Sequence, residues 1–136
     1  MPLVLDASVT AAWILPDEQT PNALHVRSLI LDAGGLVPPH WWYEIRNTLL
    51  VAERRQRTTA ERTSLALSTL GQLPIVLTQP GNDSTIFDVA RRHRLSFYDA
   101  AYLALALSEK LPLATLDDAL ARAAIAEKVE LVIPPA

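Results

Sequence analysis

Four carboxylates in this 136-residue chain stand where chemistry, and not solubility alone, gives a reason for an acid. Asp6 in Leu5-Asp6-Ala7-Ser8 and Asp117 in Ala114-Thr115-Leu116-Asp117-Asp118 each follow a short apolar run. Glu44, in Trp41-Trp42-Tyr43-Glu44-Ile45-Arg46-Asn47, and Asp99, in Ser96-Phe97-Tyr98-Asp99-Ala100-Ala101-Tyr102, lie in helical patterns. Asn47 falls one helical turn after Glu44 on the same face. Each acid alone has a local explanation. Asp6, Asp117 and Asp118 can cap the helices that follow, Asp99 can complete a capping box with Ser96, and Glu44 can be a solvated charge. Together, clustered carboxylates raise one another's pKa and oppose the fold unless a cation offsets them. No Lys or His lies near these motifs, and Arg46 is the only nearby base. Oxygen ligands without Cys or a local His suit a hard cation, Mg2+ or Mn2+. The residue types therefore point to a divalent-metal site.

The elements that must position these acids are short strands alternating with helices. Leu3–Leu5, Leu36–Val37, Pro74–Leu77, Leu113–Leu116 and Leu131–Ile133 read as strands. Helices are expected over Ser8–Leu15, over Pro21–Ala33 with Gly34–Gly35 as the stop, and after Pro39 with Trp42, Ile45 and Leu49 on one stripe. A further helix opens at Thr58–Thr59, where Thr58-x-x-Glu61 fits a capping box, and ends at Gly71. Asn82–Arg94, Tyr98–Lys110 and Asp117–Lys128 complete the set. Apolar strands alternating with helices imply an α/β fold with a parallel sheet covered on both faces. In such a sheet function gathers beyond the carboxyl ends of the strands, where Asp6 and Asp117 fall.

Composition narrows the classes. A content of 50% hydrophobic and 20% charged residues excludes disorder as a description of the whole chain. With no Cys, a disulfide framework, a thiolate metal site and a cysteine nucleophile are excluded. Lys+Arg 12 against Asp+Glu 15 argues against holding nucleic acid by bulk positive charge. Setting aside the four candidate ligands leaves eleven acids against twelve bases, so the acidic excess belongs to the proposed site. No apolar run approaches the ~18 residues of a membrane span, and Asp6 interrupts the first apolar stretch without a basic segment before it. The chain reads as soluble and intracellular.

In order and spacing, Leu5-Asp6-Ala7-Ser8, Glu44-x-x-Asn47-x-Leu49, Ser96-x-Tyr98-Asp99-Ala100-Ala101-Tyr102 and Leu113-Ala114-Thr115-Leu116-Asp117-x-x-Leu120 resemble the PIN-domain ribonucleases, and more narrowly the VapC-like toxins of VapBC-type toxin–antitoxin modules. The resemblance covers essentially the whole chain and implies one PIN-like domain over residues 1–136, an α/β/α sandwich on a short-stranded parallel sheet. It places Asp6, Glu44, Asp99 and Asp117 at the family's acidic positions and Ser8, Asn47 and Thr115 at its supporting polar ones. Asp118 is adjacent, but the Thr-x-Asp spacing favours Asp117. By that resemblance the chain is a cytoplasmic prokaryotic endoribonuclease that uses Mg2+ or Mn2+ and leaves a 5′-phosphate and a 3′-hydroxyl. Asp6 and Asp99 are then the primary ligands, with Glu44 and Asp117 binding directly or through water. The implied partners are an RNA substrate, an antitoxin protein docking across the short N-terminal helices, and a second copy in a homodimer, with no membrane.

Outside these motifs the signals are double-edged. Arg54-Arg55-Gln56-Arg57 and Arg91-Arg92-His93-Arg94 could steer RNA or simply complement helix ends. Trp41 and Trp42 could stack bases or belong to the core, and His25, His40 and His93 are isolated in sequence. A haloacid-dehalogenase-like phosphatase would need Asp-x-Asp after the first strand, where position 8 is Ser. A receiver domain would need a lone Asp at the end of its third strand, where Thr78 stands, and a late Lys. A catalytically inert PIN-like interaction module remains the other alternative, although all four acids are present.

Overall fold

The centre of the molecule is strand β1 (Leu3–Leu5), whose three residues are buried. A computed structural model describes residues 1–135. In it β1 pairs in parallel with β2 (Gly35–Val37) on one side and β4 (Leu113–Ala114) on the other, while β3 (Ile75–Leu77) extends the sheet beyond β2. The strand order β3-β2-β1-β4 is parallel throughout, and Leu131 adds a parallel bridge on the outer side of Leu113. The chain advances from β1 to β2 to β3, then crosses back to enter β4 on the opposite side of β1. The reversal puts the switch point of the sheet between the carboxyl ends of β1 and β4.

Among the described residues seven α-helices flank this sheet: α1 (Ala7–Ile14), α2 (Pro21–Ala33), α3 (His40–Arg54), α4 (Ala60–Leu70), α5 (Asp83–His93), α6 (Phe97–Glu109) and α7 (Asp118–Ala126). A 3-10 turn, Pro16–Glu18, joins α1 to α2. α2 begins where Thr20 Oγ1 accepts the Ala23 amide and Pro21 supplies a preset φ. It ends at Gly34, whose φ of 89° is the left-handed region that favours glycine. A Cβ at Gly35 would lie 2.4 Å from Ile30 Cδ1, so the tip of the Ile30 side chain would have to shift to admit one. α6 is apolar on all sides from Ala100 to Ala106 and is correspondingly buried, packing on β1, β4, α5 and α7.

Several sequence expectations change in detail. The stripe of α3 is Trp41, Ile45, Leu49 and Ala52, with Trp42 42% exposed. Adjacent tryptophans both fit the helical period, and the buried one is Trp41, whose indole N–H donates to the buried Thr10 Oγ1 at 3.0 Å. α4 is capped by Thr59, which accepts from Arg62 N, so the Thr58–Glu61 capping box does not form. β4 stops at Ala114, before the expected Leu116, and Leu131–Ile133 contributes one bridge in place of a strand.

Candidate active site

Asp6 leaves β1 at its carboxyl end and occupies the N-cap position of α1, yet its carboxylate makes no capping bond. It instead accepts the Ser8 and Thr115 hydroxyls, each at 2.7 Å and both on Oδ2. No protein hydrogen bond reaches Oδ1 among the described residues. The two hydroxyls are themselves fixed: Ser8 Oγ accepts the Leu116 amide at 2.9 Å, and Thr115 Oγ1 accepts the Asp117 amide at 3.0 Å. A carboxylate that is 4% exposed is thus held in one orientation by segments leaving β1 and β4.

Burial pushes the Asp6 carboxyl up to about 6 against the pull of those two hydroxyls, and the charges of Asp99 and Glu44 add to the rise. Glu44, on the first turns of α3, is raised by burial and by Asp99, while the Tyr102 hydroxyl, donating to Glu44 Oε1 at 2.8 Å, lowers it. Asp99, in the first turn of α6, is raised by burial and then by Asp117, and lowered by Ser96 and His40. Asp6, Glu44 and Asp99 thus lie within electrostatic reach of one another near the switch point, and Asp117 within reach of Asp99.

Asp117 also caps α7, accepting the Leu120 amide on Oδ2 at 2.8 Å, and Asp118 is the exposed first residue of that helix. Ser96 Oγ caps α6 by accepting the Asp99 amide. Asn47 is exposed one turn beyond Glu44, with no side-chain hydrogen bond among the described residues.

Sequence spacing did not reveal two neighbours of Glu44. Tyr102 is fully buried, reaches Glu44 across 58 residues of chain, and has its phenol proton held by burial, then by the Glu44 and Asp6 charges. His40 corrects the expectation that no His lies near the acids: its Nε2 stands 3.2 Å from Glu44 Oε1, out of line for a hydrogen bond, and burial lowers its pKa. The i,i+4 spacing of His40 and Glu44 was the available signal.

The donor set is all oxygen at Asp6, Glu44, Asp99 and Asp117, with an unpartnered Asp6 Oδ1, and it suits a hard divalent cation. No three His, Asp or Glu side chains among the described residues form a ready-made cage. Mg2+ is commonly held by one or two carboxylates, with water and phosphate completing the shell.

Each arginine cluster has one arginine engaged by carboxylates within the protein. Arg57 forks onto Asp17 at 2.9 and 3.0 Å and reaches Glu18 at 2.9 Å. Arg92 and His93 share Glu127 Oε2. Trp42 stacks under Arg46, whose guanidinium is 3.7 Å from the ring centroid.

The sequence matches the family model described as PIN domain over residues 3–126. The structure is similar to the crystal structure of PAE2754 from Pyrobaculum aerophilum, with a TM-score of 0.66 and 23% identity over 90% of this chain and 84% of that one. Nothing among the curated proteins matches the chain.

Proposed function

Because the chain belongs to the PIN-domain family, generally a metal-dependent nuclease fold, we propose that it is a Mg2+- or Mn2+-dependent endoribonuclease and the toxin of a toxin–antitoxin pair. The observation that carries this reading is the Asp6 carboxylate: placed to cap a helix, it is clamped on one oxygen by Ser8 and Thr115 and leaves the other to the acidic cluster. An acid whose pKa is pushed up by burial, with a smaller addition from like charges, is costly, and a bound cation offsets that cost. When bound, the cation supplies charge stabilisation at the phosphoryl oxygens and activates a water. Asp6 and Asp99 hold it, with Glu44 and Asp117 contributing directly or through water. Ser8 and Thr115 fix the Asp6 carboxylate, Tyr102 fixes Glu44, and Asn47 orients water from the next turn of α3.

The partner assignments rest on surface. An apolar cleft of about 240 Å³ between α1, α2 and α4, lined by Trp13, Ile14, Leu65 and Leu73 and flanked by Arg27 and Arg62, suits an antitoxin segment. Exposed Tyr43 and Leu50 on α3 suit a second copy of the chain. Among the described residues no helix is long and apolar enough to cross a membrane.

Cleavage-site sequencing on total RNA, comparing the parent with Asp6→Asn, tests the activity. Cuts that require Mg2+ and vanish in the variant support it; full cleavage in EDTA or by the variant overturns it. For the toxin role, expression of the intact chain is expected to arrest growth, and Asp6→Asn to relieve the arrest.

A further inference from the structure

A cleft of about 540 Å³ opens beside the acids, between the start of α3, the loop after β3 and the start of α6, lined by His40, Gln79, Asp83, Ile86, Phe97 and Tyr98. Resting on the nuclease reading above, we propose that this cleft receives an unpaired nucleobase of the RNA, adjoining the phosphate that is cut.

The cleft and the acids share residues. His40 stands 3.2 Å from Glu44, and Tyr98 immediately precedes Asp99. The His40 and Tyr98 rings lie with centroids 5.4 Å apart and planes tilted by 55°. Tyr98 is nonetheless 63% exposed, and Phe97 beside it 40%. The aromatic run continues away from the acids: Phe97 packs at 4.9 Å on the exposed Phe87, and the Arg91 guanidinium lies 5.1 Å from the Phe87 ring centroid. Aromatic faces with an interleaved guanidinium form a platform on which successive bases of a single strand stack, whatever their sequence.

Charge along this face is mixed, with a basic last turn of α5 that includes Arg91, and so forms no continuous phosphate rail. α5 carries Asp83 and Asp88, and its Arg92 is engaged by Glu127. Within the cleft, the Gln79 amide offers a donor and an acceptor, and the Asp83 carboxylate accepts from an exocyclic amine. These are groups that read the edge of a splayed-out base, as in single-stranded RNA. A paired base presents neither its face nor its Watson–Crick edge.

Single-stranded RNA hexamers with 2-aminopurine substituted at each position in turn provide the test, bound to the Asp6→Asn protein in Mg2+. One position is expected to be quenched on binding. Tyr98→Ala in that background weakens affinity about 5- to 160-fold, the range that base–aromatic stacking sustains, and Tyr98→Phe restores it. Thermal melting confirms that exposed position 98 tolerates both changes. In the active protein, Gln79→Ala broadens the base preference at one position flanking the cut. Affinity and cleavage preference unchanged in Tyr98→Ala overturn the proposal while leaving the nuclease reading intact. Tyr98-dependent RNA binding by a parent protein that cuts nothing keeps the cleft and removes the nuclease. Loss of binding to a protein partner in Tyr98→Ala, with RNA affinity untouched, reassigns the cleft and overturns the proposal.

Discussion

Replacing Asp6 by Asn isolates the electrostatic cost of the acidic site. The carboxyl has a pKa of about 6 in the folded protein against the ordinary 3.8 of an aspartate, so the native state binds its proton more tightly than the unfolded chain does. Stability therefore falls as pH rises from about 4 to about 6, and the cost is fully present above that window. About two pKa units at 1.36 kcal/mol each give a cost of about 3 kcal/mol at pH 7.5. Asparagine removes the charge without breaking the clamp. Ser8 and Thr115 both bond Oδ2, so the amide oxygen can take that place while the NH2 replaces Oδ1. The variant is expected to exceed the parent by up to about 3 kcal/mol in EDTA at pH 7.5, roughly 10 °C in Tm for a chain of this size, with the gap closing by pH 4. Urea denaturation at the two pH values measures it. Adding Mg2+ narrows the gap, because only the parent gains ligand-linked stability. An Asn variant less stable than the parent at pH 7.5 in EDTA, or a gap that ignores pH, refutes the reasoning.

Other perturbations reach the remaining parts of the site and scaffold. The Mg2+ concentration giving half-maximal thermal stabilisation is expected to rise about tenfold per pH unit below 6, because Asp6 must lose a proton to bind metal; a flat profile counts against Asp6 as a ligand. Tyr102→Phe removes the donor to Glu44 and is expected to cost about 1 kcal/mol, with the acidic limb of the cleavage profile moving to higher pH; urea melts and a pH–rate series check both. Trp41→Phe should cost about 1–3 kcal/mol by orphaning the buried Thr10 hydroxyl, while Trp42→Phe should be near neutral by the same melts. Arg57→Ala is expected to speed amide exchange across Pro16–Glu18 while leaving RNA cleavage unchanged, as read by exchange mass spectrometry and a cleavage assay.

How far the sequence could be read depended on the range of the interactions involved. Asp6 was legible because a lone acid ending a three-residue apolar strand breaks a local pattern, and Asp117 because the Thr115-x-Asp117 spacing follows another apolar run; parallel sheets place such ends together. The parallel α/β architecture followed from the same alternation. What was misplaced turned on single-residue choices that periodicity cannot make: Trp41 against Trp42 was decided by a hydroxyl on α1, and Thr59 against Thr58 by which side chain meets the Arg62 amide. Tyr102 and His40 stayed hidden as site neighbours for different reasons. Tyr102 meets Glu44 only through the packing of α3 near α6, and one His on a helical turn carries no signal without knowing which way it points. The engagement of Arg57 by Asp17 and Glu18, roughly forty residues earlier, was equally beyond local pattern.

The clamp on Asp6 also sets a clock. Its two hydroxyls come from opposite ends of the chain: Ser8 is two residues away, whereas Thr115 is 109 residues downstream. Contacts of that separation form late, after the intervening chain has paid its loop-closure entropy. A chain growing on the ribosome carries Asp6, Glu44 and Asp99 well before it carries β4 and Thr115. Until that strand docks beside β1, Asp6 lacks one of its two hydroxyl donors. The clamp is therefore completed only when β4 is in place, and a prematurely terminated product that lacks β4 carries Asp6, Glu44 and Asp99 without the Thr115 hydroxyl that fixes the Asp6 carboxylate.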